Sequence, residues 1–408
     1  MQTFLHEKYQ NQAWSDDAEQ ILRTCVHCGF CTAVCPTYQL SGEEAEGPRG
    51  RIYLIHSFLH NNEITQDTQQ HLDSCLTCRS CEAMCPSGVK YARLLEIGRT
   101  EIDKQVKRNF FETFQRKSLV HILPYQNRTK WLIDMTSLVP SYLLPKHIKT
   151  HLPTQKPIAY SVKVKKHERK VLLLDGCAQS VLAPNINQAT EKLLNALNIS
   201  VVKASDAGCC GALAYHLTEQ KIGLDHAKKL IDKWMPLIDG VEAIVMTASG
   251  CGSFIKEYGE IFKHDPEYLE KAEKIASLTR DLVEVIAPDD LMKLKPDTDL
   301  KTKVAAQIPC TLQHGQKLTN RLEPLLEAFG FELTTVENGH LCCGSAGTYS
   351  ILQPKKSQQL KANKLQALQA NQPEVIVTAN IGCLTHLQHD ADVPVKHWAE
   401  LVAERLAD

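Results

Sequence analysis

The chain has 408 residues, with 46 Lys and Arg against 47 Asp and Glu, a formal net charge of −1 and 43% hydrophobic residues. That length calls for two or three domains, the composition excludes a disordered chain, and the near-neutral charge argues against a nucleic-acid partner. The 16 cysteines are too few for a disulfide-dense secreted scaffold of this size and too many for buried filler. Residues 1–20 carry Glu7, Asp16, Asp17 and Glu19 without an apolar core, so no secretory signal is expected there. No run approaches the roughly 20 apolar residues of a membrane-spanning helix.

The first eight cysteines form two runs, Cys25, Cys28, Cys31, Cys35 with Pro36, and Cys75, Cys78, Cys81, Cys85 with Pro86. Both read C-x2-C-x2-C-x3-C-P, a spacing in which three sulfurs turn toward one cubane and the fourth reaches the other. One [4Fe–4S] cluster is therefore expected on Cys25, Cys28, Cys31 and Cys85, and a second on Cys75, Cys78, Cys81 and Cys35. Zinc would give no role to the trailing prolines, and disulfides between such near neighbours would close strained loops. Between the runs, Ile52, Leu54, Ile55, Phe58 and Leu59 predict a helix over 51–61, and 63–72 a second. Residues 1–104 are accordingly read as a mainly α-helical, two-cluster ferredoxin-like domain. Gly47-Pro48-Arg49-Gly50-Arg51 brings two cations near the clusters, either to stabilise charge there, to meet a partner, or simply to begin a helix.

Residues 105–165 read as a helical connector and linker. One apolar stretch holds Phe110, Phe111, Phe114, Leu119, Val120, Ile122 and Leu123; another covers 131–139 and 142–144, interrupted by Pro140 and Pro145. Packing between domains is the expected use of these faces, ahead of a partner or membrane surface. Pro- and Lys-rich residues 151–170 predict one linker, and 287–303 another.

The remaining cysteines form a repeat. Cys177, Cys209, Cys210 and Cys251 match Cys310, Cys342, Cys343 and Cys383 at offsets of 133, 133, 133 and 132 residues, and both pairs continue as Cys-Cys-Gly. Strands are predicted at 171–174 and 304–308, 200–203 and 331–336, and 241–247 and 374–378, with helices at 188–197, 219–234, 318–329 and 354–370. The fold class is thus α/β beyond the N-terminal region, as two parallel-sheet Cys-Cys-Gly domains over 166–290 and 298–408. Their cysteines are expected at strand ends or in the following loops, where parallel sheets bind ligands. Four thiolates per repeat suit a further cluster, a zinc ion or a redox-active thiol pair. His216 and His386 lie nearby and are left out of these ligand sets.

No G-x-G-x-x-G after a strand, P-loop or H-E-x-x-H is present, so any flavin or nicotinamide chemistry is expected on another chain. Two cluster motifs followed by two Cys-Cys-Gly units, with Cys25-Val-His-Cys-Gly-Phe-Cys31, Gly47-Pro-Arg-Gly-Arg51, Pro309-Cys-Thr-Leu-Gln-His314 and Leu341-Cys-Cys-Gly-Ser-Ala-Gly347, resemble the glycolate oxidase iron–sulfur subunit family over essentially the whole chain.

The resemblance implies two flavin-type partner subunits carrying FAD, which oxidise glycolate and often D-lactate. It also implies electron delivery to a membrane acceptor such as a quinone, and a cytoplasmic, peripheral place on the bacterial inner membrane. Iron–sulfur subunits of glycerol-3-phosphate or lactate dehydrogenases, and heterodisulfide-reductase-like thiol–disulfide enzymes, are the alternative resemblances. Units of the wider superfamily often end in Cys-x2-Cys, whereas here Cys251 and Cys383 stand alone, which argues against an unusual cluster of the heterodisulfide-reductase kind.

Overall fold

The structure, a computed structural model, describes residues 3–137, 166–204, 206–294 and 302–406. Its N-terminal part is helical. The helices Ser15–Thr24, Pro48–Asn61, Gln66–Asp73 and Tyr91–Gln105 bury Leu22, Ile55, Phe58, Leu59, Leu94 and Leu95 in one core around the cysteine runs. Pro36 and Pro48 each open a helix, where the missing N–H costs nothing. The Thr65 hydroxyl accepts the Thr68 N–H and caps the third of the four helices.

Each repeat is a four-stranded, all-parallel sheet. The first consists of β1 (Arg169–Leu173), β2 (Ile199–Lys203), β3 (Ala243–Met246) and β4 (Thr279–Asp281), in the order β2-β1-β3-β4. The second repeats it with β5 (Lys303–Gln307), β6 (Glu332–Thr334), β7 (Val375–Thr378) and β8 (Val395–His397), in the order β6-β5-β7-β8. The central strands β3 and β7 are wholly buried and, but for Thr378, apolar, as a sheet covered on both faces requires. Helices Asn185–Ala196, Gln220–Trp234, Leu322–Phe329 and Pro354–Gln369 occupy the predicted stretches.

Four expectations need correction. The strands β4 and β8 went unpredicted. Residues 288–294 are not linker but a helix, Pro288–Leu294, whose Leu291 is fully buried in a core that runs from Val171 and Leu193 to Val304, Phe329 and Trp398. The two sheets therefore share one core. Cys251 and Cys383 lie not in loops but in the first turns of helices Ser249–Lys256 and Ile381–Leu387. Finally, in helices Phe110–Ile122 and Gln126–Ser137 the apolar residues are largely not packed between domains. Phe110 is 86% exposed, and Phe111, Phe114, Trp131 and Met135 are exposed as well, whereas Val120 is buried. The remainder of the second apolar stretch, Pro140 and Pro145, and most of the 151–170 linker lie outside the described residues.

The helical region docks on both repeats. Glu96 meets His216 at 3.1 Å, Thr218 donates to Asp103 at 2.6 Å, and Arg79 pairs with Glu257 of the first repeat. Lys356 of the second repeat reaches Glu46 at 2.9 Å.

Candidate functional site

Both cysteine runs fold the same way. His27 and Thr77, then Gly29 and Arg79, take left-handed backbone angles, with φ of 56°, 54°, 86° and 62°. Each non-glycine residue there costs on the order of 1 kcal/mol, strain that persists where the surroundings over-determine it. The alternation curls each loop so that successive sulfurs turn inward.

Two clefts result. The first is lined by Cys25, Cys28, Cys31 and Cys85, together with Cys81, Val26, His27, Phe30 and Arg49. The second is lined by Cys35, Cys75, Cys78 and Cys81, together with Thr37, Arg51 and Arg79. Each cleft thus gathers three cysteines of one run and the last cysteine of the other. Cys81 and Tyr91 line both. The first opens to the surface, with Cys28 exposed and Val26 68% exposed; in the second, Cys35, Cys78 and Cys81 are buried.

The fit to an iron–sulfur group follows from these walls. Among the described residues, no three His, Cys, Asp or Glu side chains gather closely enough to hold a single ion. The Tyr91 hydroxyl is buried beside the Cys75 thiol. Burial pushes the Cys31 thiol up to about 11, and pushes Cys81 and Cys78 well above their ordinary values, with Cys310 adding to the effect on Cys78. Such thiols stay protonated unless a positive centre draws their protons off, as a metal does.

The Cys-Cys-Gly cysteines form two rows. Thiol contacts run Cys177–Cys209–Cys210–Cys251 in the first repeat, and Cys310–Cys342–Cys343–Cys383 in the second, where Cys310 and Cys342 are 3.9 Å apart. In both, the glycine after the pair donates its N–H to the first thiol at 3.4 Å. Gly211 and Gly344 have φ of +90° and +88°, and a Cβ would come within 2.2 Å of Gly223 O and 2.7 Å of Ser357 O. Only glycine lets each row lie this close to the neighbouring helix.

The rows differ in their surroundings. Beside the second lie the buried Lys364, whose Nζ donates to Gly339 O at 2.8 Å, and the buried His386, 3.3 Å from Ser357 Oγ. Hydrogen bonds from Cys342 and Cys383 hold the Cys343 thiol well below its ordinary value, aided by His386. At the position of His386 the first repeat has Phe254, packed on Tyr215 and Tyr258. His216, by contrast, pairs with Glu96. Lys364 escaped sequence reasoning because a lysine on a helical pattern reads as solvent-facing. His386 does carry a sequence signal, its place three residues after Cys383. The second row also adjoins the second cleft: Cys78, Cys342, Leu76 and Tyr349 form one buried cluster, with Cys310 against it.

Residues 21–89 match the model of the 4Fe-4S dicluster domain, and residues 171–256 and 304–388 that of the cysteine-rich domain. The chain is 49% identical to the glycolate oxidase iron-sulfur subunit of Escherichia coli K12, over 100% of this chain and 99% of that protein. The chain belongs to the glycolate oxidase iron–sulfur subunit family. A probable member from Bacillus subtilis 168 is 31% identical over 98% of this chain and 97% of its own length. Lactate utilization protein A of the same organism is 29% identical over 58% of this chain and 100% of that protein. A crystal structure of a hypothetical protein from Helicobacter pylori superposes with a TM-score of 0.58 at 9% identity, over 98% of this chain and 74% of that one, which supports the fold alone. Membership in the family makes this chain an iron–sulfur electron-transfer subunit.

Proposed function

We propose that this chain carries electrons within a multi-subunit glycolate oxidase, with one [4Fe–4S] cluster on Cys25, Cys28, Cys31 and Cys85 and a second on Cys75, Cys78, Cys81 and Cys35. The observation that carries the reading is the exchange of the fourth cysteine between the two clefts. When bound, such clusters supply one-electron storage. The chain's own part is to hold eight thiolates in place, to keep water from the second cleft, and to present the first at the surface through Cys28, Val26 and Phe30.

Oxidation of a 2-hydroxy acid to a keto acid releases two electrons and two protons, a step assigned to FAD on two flavin-type partner subunits because the sequence has no G-x-G-x-x-G after a strand. The electrons would leave to a membrane acceptor such as a quinone, with the complex peripheral on the cytoplasmic face of the inner membrane. Among the described residues, no helix is long and apolar enough to cross a membrane. The exposed Phe110, Phe111, Phe114 and Trp131 are a face such a complex would cover. The rows Cys177, Cys209, Cys210, Cys251 and Cys310, Cys342, Cys343, Cys383 are proposed as further cluster sites, because no three of these thiols gather closely enough for a single zinc ion.

A second reading, thiol–disulfide chemistry at the second repeat, is supported by the contacts that line the Cys342, Cys343 and Cys383 thiols up in one row. It requires disulfide reduction by the isolated chain. In the first reading, Cys28→Ser in the assembled complex abolishes glycolate-dependent dye reduction. Full activity in that variant would overturn the electron-carrier role.

A further inference from the structure

Arg51 is the second cation of the Gly47–Arg51 turn, and its side chain is 1% exposed. A Cβ on Gly50 would lie 2.0 Å from Glu44 O, so glycine there lets the start of the helix press against the 44–46 turn and brings Arg51 to Glu46. Every nitrogen of the guanidinium is bonded. Nε donates to His71 O at 2.7 Å, Nη1 to Thr37 Oγ1 at 3.1 Å, and Nη2 to Glu46 Oε2 at 3.0 Å. Thr37 Oγ1 is in turn 3.3 Å from Cys35 Sγ.

The arginine, and not its carboxylate, lines the second cleft beside Cys35, Cys75, Cys78 and Cys81. Glu46 stands behind it, shared with Lys356 at 2.9 Å and His71 at 2.9 Å. Two permanent positive charges therefore answer one negative charge, with a positive end toward the thiols. The first cleft has a weaker counterpart, because Arg49 is only half-buried and is paired one-to-one with Glu44 at 2.6 Å. Burying an ion pair gains little stability over apolar packing, so the arrangement is better explained by what it does to the cleft.

We propose that Arg51 sets the reduction potential of the second cleft, raising it above the value the same four cysteines would give beside a neutral side chain. The inference rests on the cluster assignment proposed above. One-electron reduction there adds one negative charge and neither forms nor breaks a bond; the electron derives from substrate oxidation on the partner chains. A buried cation at the wall stabilises the reduced form more than the oxidised one.

The test uses the full chain purified anaerobically, with iron and sulfide counted and each site titrated potentiometrically by electron paramagnetic resonance. Arg51→Met is expected to lower the midpoint of the second site by at least a factor of ten in its reduction equilibrium, about 59 mV for one electron. Arg51→Lys should retain most of the wild-type value, and the first site should not move. Glu46→Gln, which removes the anion, should shift the second site upward. A merely structural role predicts that both substitutions loosen the site alike. Unchanged midpoints, or shifts of the same sign, overturn the proposal. If Arg51→Met fails to hold its second cluster, the sign of the Glu46→Gln shift decides. A wild-type chain with no second cluster would overturn the cluster assignment itself, a distinguishable failure that takes this inference with it.

Discussion

Lys356 Nζ, on a helix of the second repeat, lies 2.9 Å from Glu46 Oε2 in the helical N-terminal region, and 2.6 Å from Ser74 Oγ one residue before Cys75. The second repeat thus supplies a cation behind the wall of a cleft built by another part of the chain. Cys78 and Cys342 share a buried cluster close by. The first repeat makes other ties to the helical region, among them those of Glu257, His216, Thr218 and Lys263.

Lys356→Ala should therefore weaken the docking of the second repeat. Glu46 keeps Arg51 and His71, and Lys356 is partly exposed, so the loss is expected to be about 1 kcal/mol rather than that of a stranded buried charge. Urea unfolding of the variant checks this. An unchanged midpoint at low salt would show that the contact contributes nothing.

Gly211→Ala and Gly344→Ala should each destabilise their repeat. Both glycines are left-handed, and an added Cβ would strike the backbone carbonyl of Gly223 or Ser357. Strain and collision together should cost about 2 kcal/mol or more, with the larger loss for Gly211, where the approach is closer. Thermal unfolding of the two variants beside the wild type measures it, and a variant as stable as the wild type would contradict this geometry.

A pH dependence follows from His397. Burial pushes its imidazole down to about 4, with Nε2–H donating to Thr247 O at 3.0 Å and Nδ1 accepting from Ala399 N at 3.2 Å. An unfolded histidine titrates near 6.5, so between about 6.5 and 4 the unfolded chain binds the extra proton. This contribution is complete above about 6.5 and is lost as pH falls toward 4. Burial raises Glu400, which accepts from the His397 N–H, to about 7, and its contribution has the opposite slope, lost as pH rises through 7. The wild type minus His397→Gln difference cancels the Glu400 share. That difference should narrow by about 2 kcal/mol from pH 7 to 5. A constant difference would show that His397 is not the titrating group.

Much of this architecture can be read from the chain because its signals are local. The C-x2-C-x2-C-x3-C-P runs carry their own turn geometry, and the central strands hold unbroken apolar runs such as 243–246 and 375–377. What escaped reading is set by tertiary context. The strands β4 and β8 are three residues long with Arg280 and Lys396 at their centres, too short for any period to register. Pro288–Leu294 reads as a linker from Pro288, Asp289 and Asp290 until Leu291 is seen in the shared core. The face of Phe110, Phe111 and Phe114 is apolar whether it packs or stands exposed, and the sequence does not distinguish the two. Arg51, Lys364 and His386 are ordinary polar residues in the chain; their weight comes from burial beside thiols.

Two iron–sulfur clusters in the two clefts would be directly countable. The most direct test is the iron and acid-labile sulfide content of the anaerobically purified full chain, with spectra before and after reduction. At least about eight iron and eight sulfide per chain are expected, with signals from two reduced clusters. Zinc in place of iron, with no acid-labile sulfide, would contradict the cluster assignment.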